Sequence, residues 1–133
     1  MDNEVEELVV LNKEHVFILD PQSFYRKVCI HDIIYLEAQQ NYCDINMDNR
    51  EKKVVSVPLC EVLDKLDSSL FVRIHRSYAI NVEHVSAFSA NYIQLDNGKM
   101  LTIGRNYSGI IESKFILIGS RDRVKNSRNK DDK

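Results

Sequence analysis

The sequence predicts a mostly β domain of about ten short strands with one short internal helix. Three observations predict it. Apolar and polar residues alternate in short runs separated by turn-forming clusters, as in HVFILD (15–20) and DIIYLEA (32–38). One run alone, PLCEVLDKL (58–66), changes to helical spacing. Asn97-Gly98 lies between two alternating runs and is a strong hairpin signal.

A chain of 133 residues is long enough for one packed domain and short for two. It holds no run of about 18 apolar residues, and its start, MDNEVEELVV, is acidic where a signal peptide would be basic and then apolar. A soluble, cytoplasmic protein is expected, with no membrane partner. Cys29, Cys43 and Cys60 are odd in number, widely spaced and outside any CxxC, which suits reduced thiols better than a disulfide frame or a zinc site. Neither a metal nor a cofactor is expected.

The elements follow in order. LVVLN (8–12) and HVFILD (15–20) flank Lys13-Glu14; after Pro21-Gln22-Ser23 come YRKVCI (25–30), DIIYLEA (32–38) and YCDINM (42–47). Each is strand length and rich in β-branched or aromatic residues. Asp48-Asn49-Arg50 reads as a turn before KKVVSV (52–57). In PLCEVLDKL, Pro58 stands where a first helical turn tolerates it, and Leu59, Val62, Leu63 and Leu66 recur at i, i+3, i+4, i+7. Extended segments return as FVRIH (71–75), SYAI (77–80), HVSAF (84–88), YIQLDN (92–97) and KMLTI (99–103). Asn97-Gly98 is expected to form a type I′ turn, in which both central residues take positive φ. NYSGIIESKFILI is expected to add a final helical turn or two.

The net charge of −2 conceals a gradient. Asp2, Glu4, Glu6, Glu7, Glu14 and Asp20 face Lys13 alone in the first twenty residues, whereas Lys114, Arg121, Arg123, Lys125, Arg128, Lys130 and Lys133 dominate the end. The field at one face therefore does not follow from the total. The final stretch, 119–133, reads as a disordered charged tail.

With no glycine-rich phosphate loop and no repeats, chemistry must come from the breaks between strands. The first is EAQQNYCD (37–44), where Gln39, Gln40 and Asn41 carry amides able to match the N6 and N7 edge of adenine, or simply to be solvated in an ordinary turn. The second is His75-Arg76-Ser77. In FVRIHRSYAIN, Val72, Ile74, Tyr78 and Ile80 share one parity, and Arg76 falls among them. Either the strand breaks there and Arg76 forks onto a guanine edge or phosphate, or Arg76 is buried against a carboxylate such as Glu37 or Asp44. The third is Gly104-Arg105-Asn106, where glycine gives the backbone room, Asn106 is expected to cap a helical segment, and Arg105 projects from the corner or is an ordinary surface charge. Lys52, Lys53, Lys99 and Arg73 are further cations. Catalysis is not expected: Cys43 and His75 could be drawn as a pair, but no oxyanion hole, orienting acid or nucleophile elbow accompanies them.

DIIYLEAQQNYCDI, the short LCEVLDKL helix, FVRIHRSYAINVEHV and IQLDNGKMLTIGRNY, in that order, resemble the LytTR family of bacterial DNA-binding domains. The resemblance runs from about Phe17 to Phe115, and the F-x-R-I-H-R-S-Y-x-x-N block is its most distinctive part. It implies an elongated fold of small stacked sheets that binds duplex DNA by loops in successive major grooves, with bending, often on direct repeats. Carried over by position, the base-reading candidates are Gln40, Asn41, Tyr42 and Cys43, then Arg76 and Arg105. Gln39, Asn41, Lys53, His75, Ser77 and Asn106 would hold phosphates or support these. Cys43 stands where a polar or basic residue would be expected. The implied organisation is a linker or extension over 1–16, the DNA-binding domain over 17–118 and the tail. Family members often carry a receiver domain or sensor segment ahead of this domain, so the chain is expected to be part of a longer regulator, monomeric in solution and tandem on DNA. The alternative is a β domain for protein interaction or sensing, with Arg76 and Arg105 paired internally or on an acidic partner.

Overall fold

A computed structural model describes residues 14–119. The expected strand at 8–12 and the tail beyond Gly119 lie outside the described residues. Ten strands are present among them, in three antiparallel sheets. β1 (His15–Leu19) pairs with β2 (Tyr25–Cys29). The central sheet has the order β5 (Lys52–Val55), β4 (Cys43–Met47), β3 (Ile33–Ala38), β7 (Tyr78–Asn81), β6 (Phe71–His75). The third sheet is β10 (Met100–Thr102), β9 (Tyr92–Leu95), β8 (Val85–Phe88).

The sequence IIYL in β3 explains why the central sheet carries a layer on each face. Ile33, Ile34, Tyr35 and Leu36 are all buried, which simple alternation forbids for a sheet covered on one side. A register shift between Ile33 and Tyr35 makes Ile34 the extra residue. Ile33 and Leu36 then enter one core with Ile18, Val28, Ile45, Leu59 and Phe71, beneath the β1–β2 hairpin and the helix. Ile34 and Tyr35 enter a second core with Ile74, Ile80, Ile93, Leu95, Leu101 and Ile111, beneath the third sheet. Each fully buried aliphatic side chain contributes about 1.5–3 kcal/mol.

Helix α1 (Leu59–Asp64) forms where the i, i+3, i+4 pattern places it. Pro58 precedes its first turn in extended conformation, and its carbonyl accepts from the N–H groups of Glu61 and Val62. Leu59 is buried in the first core, with Val62, Leu63 and Leu66 packed against it. The expected C-terminal turns are 3-10 turns at Arg105–Tyr107 and Ile111–Lys114.

The Asn97-Gly98 hairpin forms, but not with a type I′ turn. Gly98 has φ +89°, whereas Asn97 is not among the residues with positive φ. Gly98 N–H donates to Leu95 O at 2.8 Å and Leu95 N–H to Lys99 O at 2.9 Å, which define a three-residue loop closed by a left-handed residue. Asp96 lengthens the loop by one residue and takes the place reserved for positive φ in the shorter turn. Two other hairpins repeat this pattern. Ser23 (φ 71°) closes the β1–β2 loop and Arg50 (φ 69°) the β4–β5 loop, with Ser23 N–H donating to Asp20 O and Arg50 N–H to Met47 O.

Candidate nucleic-acid interface

The parity problem at Arg76 has a local solution. β6 ends at His75 and β7 starts at Tyr78, opposite it, so Arg76 and Ser77 form the turn. A register shift between Arg73 and His75 makes Ile74 a bulge, which keeps Ile74 in the second core while the chain leaves the sheet. Arg76 is exposed, and among the described residues no carboxylate lies within ion-pair distance of it. The expected alternatives, Glu37 and Asp44, are not its partners.

The turn is held from inside. The Nε of Arg73 donates to His75 O at 3.1 Å, and its Nη2 donates to Arg76 O. The ring Nδ1 of His75 accepts from the Ser77 N–H at 3.0 Å, and the ring packs on Tyr78 with centroids 5.2 Å apart. Arg73 and His75 thus stiffen the support from which Arg76 projects.

Both neighbouring breaks meet this turn. On one side Ala38 N–H donates to Ser77 O at 2.8 Å, bringing in the Gln39–Tyr42 loop, which is closed by Gln39 N–H to Tyr42 O at 2.9 Å. Gln40, Asn41 and Tyr42 are exposed there. On the other side Gly104 N–H donates to Ile74 O at 2.7 Å. A Cβ at Gly104 would lie 3.4 Å from His75 Cα and 3.1 Å from the Tyr107 ring, so only glycine lets this corner sit so close without displacement. Arg105 and Asn106 follow at once and are exposed, and Arg105 has no ion-pair partner among the described residues. Asn106 does not act as the expected cap. Gly104 occupies that position, and its carbonyl accepts from Tyr107 N–H, because the turn starts two residues earlier than a cap at Asn106 requires.

Gln39 to Tyr42, His75 to Ser77 and Arg105 to Asn106 therefore gather at one end of the central sheet. Two of the expected residues stand apart from its surface. Cys43 is fully buried in the first core, its Sγ donating weakly to Asp44 O, and burial, reinforced by Asp44, pushes its thiol pKa up to about 11. Lys53 lies opposite Ile45, farther along β5 from that end, and its ammonium is 3.0 Å from Glu51. Sequence reasoning treated Arg73 only as a spare surface cation, although its position opposite Ala79, three residues before the turn's Arg76, is the signal that it could brace the turn.

Comparison with known proteins carries this geometry to a family. The model of the LytTr DNA-binding domain matches residues 23–115. The chain belongs to the LytTR family of DNA-binding domains. A LytTR domain is a DNA-binding and not a catalytic module, in keeping with a site made of arginines and amides. The transcriptional regulatory protein LytR of Staphylococcus aureus strain N315, like that of strain NCTC 8325 / PS 47, is 32% identical over 102 residues, covering 67% of this chain. The chain spans 42% of the length of these relatives. A solved LytTr DNA-binding domain from Bacillus cereus shares the fold, with a TM-score of 0.64 at 23% identity, over 75% of this chain and 95% of that one. No helix among the described residues of this LytTR chain is long and apolar enough to cross a membrane.

Proposed function

We propose that the chain reads duplex DNA sequence-specifically by placing its loop segments in successive major grooves, bending the duplex, as the DNA-binding part of a bacterial transcriptional regulator. The observation that carries this reading is that Arg76 and Arg105, without an ion-pair partner among the described residues, project from two braced turns joined through Gly104 and Ile74, beside the amides of Gln40 and Asn41. A guanidinium without an internal partner can fork onto guanine O6 and N7, and each such contact discriminates by about 1–3 kcal/mol. His75, Ser77 and Asn106 support these contacts or meet phosphates, and Gln39 does so or offers its amide to an adenine edge. Cys43 acts from the core beneath the loop, and Lys53 meets a phosphate only by leaving Glu51. Direct repeats would set two domains side by side, and a receiver domain or sensor segment in the longer protein would control them.

A salt series of binding to duplex DNA tests this. Affinity should fall steeply as salt rises, and sites selected from random duplexes should share a common sequence. Arg76→Ala and Arg105→Ala should each relax preference at one position while the fold still melts cooperatively. Binding that is absent at low salt, or untouched by both substitutions, refutes the proposal.

A further inference from the structure

Two features outside the loops proposed to meet DNA remain without a role. The first is an apolar groove of about 900 Å³ on the face of the central sheet that carries the β1–β2 hairpin and α1. Two of its walls are strands with an edge left open among the described residues, where β1 bonds only to β2 and β5 only to β4. Phe17 on β1 and Val54 on β5 line it and are 57% and 48% exposed. The second feature is Phe115-Ile116-Leu117-Ile118, which joins no sheet among the described residues, with Ile116 90% and Ile118 93% exposed. Contiguous exposed apolar residues mark interaction sites, and an open strand edge is a template for an added strand.

The segment is out of reach of its own groove. The Phe115 ring stacks on Phe88 at 6.2 Å, and Phe88 packs on the second core. The groove opens into the first core, on the other side of the central sheet. Three extended residues beyond Phe115 span about 10 Å, roughly one spacing between packed layers, whereas the path around the central sheet crosses two. A second copy has no such limit. The charge gradient agrees: β1, a wall of the groove, is preceded in sequence by Asp2, Glu4, Glu6 and Glu7, and the apolar segment is followed by Arg121, Arg123 and Lys125. The sequences that flank the two partners thus differ in charge sign.

We infer that Phe115–Ile118 of one copy adds as a strand in the groove of a second copy, linking chains head to tail. Main-chain hydrogen bonds to the open edge supply affinity, and the apolar side chains fill the groove. Such an interface is heterologous, so every linked pair keeps one free groove and one free segment. It stands independently of the DNA reading and is tested without DNA.

Sedimentation equilibrium of the whole chain over a range of concentrations provides the test. The mean mass should rise with concentration and fall back with added salt. Ile116→Glu combined with Ile118→Glu should abolish the rise, as should Val54→Glu, with Phe17→Glu as a second groove variant should Val54→Glu fail to fold. An equimolar mixture of segment and groove variants should form a two-chain species and nothing larger, because it retains one intact groove and one intact segment per pair. A single-chain mass for the parent at every concentration overturns the inference. So does a mixture of folded variants that stays monomeric, or a segment variant that associates like the parent.

Discussion

The side-chain amide of Gln39 donates from Nε2 to Oδ2 of Asp44 across 2.9 Å, and Asp44 is left only 4% exposed by the sheet around it. Lys52 Nζ lies 3.6 Å from the same oxygen. A carboxylate only accepts, so the nitrogen end of the amide is fixed toward Asp44. Oε1 and the second N–H stay available, the pair that matches N6 and N7 of adenine.

Asp44→Asn removes that polarity, because an asparagine accepts and donates and lets the Gln39 amide turn over. Selection of binding sites should then show preference for adenine at one position reduced by about 1–3 kcal/mol, as with Gln39→Ala, while the salt dependence stays unchanged. Retention of the same preference in both variants would remove Gln39 from base reading and leave it a brace of the loop.

The three hairpins with a left-handed third loop residue offer a test of backbone cost. Gly98 takes that conformation freely, and a Cβ there meets nothing within 4 Å. Ser23 and Arg50 hold it with a side chain. Arg50→Gly should raise stability by up to about 1 kcal/mol, and Gly98→Ala should lower it by about 1 kcal/mol, both read from urea unfolding. Opposite signs at equivalent positions are the expected signature.

Asn81, the last residue of the FVRIHRSYAIN block, is fully buried and joins separate parts of the chain. Its Nδ2 donates to Ile33 O at 2.9 Å, and its Oδ1 accepts from Glu83 N–H at 2.9 Å. Asn81→Leu should cost about 1–3 kcal/mol for each buried group left unpaired. Asn81→Asp should cost more at neutral pH, since a carboxylate would face carbonyl oxygens, and should recover part of the loss in acid. Denaturation at two pH values separates the variants.

His31 donates from Nδ1 to Glu83 Oε1 at 2.7 Å, with Glu14 at 4.0 Å from its other nitrogen. The hydrogen bond to Glu83, aided by the charges of Glu83, Glu14 and Asp32 and opposed by partial desolvation, raises its pKa above the ordinary 6.5. A raised value means the protonated form is favoured by folding. Its contribution is therefore complete below pH 6.5 and disappears as pH climbs through the folded value. Thermal melts should show a small loss over that window, and His31→Gln should flatten it.

Much of this architecture is legible in the sequence because alternation and helical spacing are local signals. DIIYLEA and PLCEVLDKL announce their elements before any neighbour is known. What is hidden depends on register. The bulge at Ile34 sends two consecutive residues, Ile34 and Tyr35, into one core, the bulge at Ile74 lets the chain leave the sheet, and no periodicity reveals which residue is the extra one. Asn97-Gly98 announced a hairpin, but Asp96 decided its length. The breaks at Arg76 and Arg105 were visible as exceptions to pattern. Their convergence was not, since it depends on Gly104 reaching Ile74, thirty positions earlier in the chain. Cys43 and Lys53 come from the resemblance by position alone, and the sheet turns one inward and sets the other against Glu51.

The bulged, doubly covered β3 has a bearing on how such a domain could change its target. The buried strand carries the fold, while the groups facing outward at its end sit on two- to four-residue turns whose side chains contribute nothing to either core. Recognition is thereby separable from folding. On the proposed DNA reading, exchanging residues 40, 41, 76 and 105 for other polar or basic types would alter the lettering that is read without asking the sheets to repack, so new specificities would lie a few substitutions apart on one unchanged scaffold.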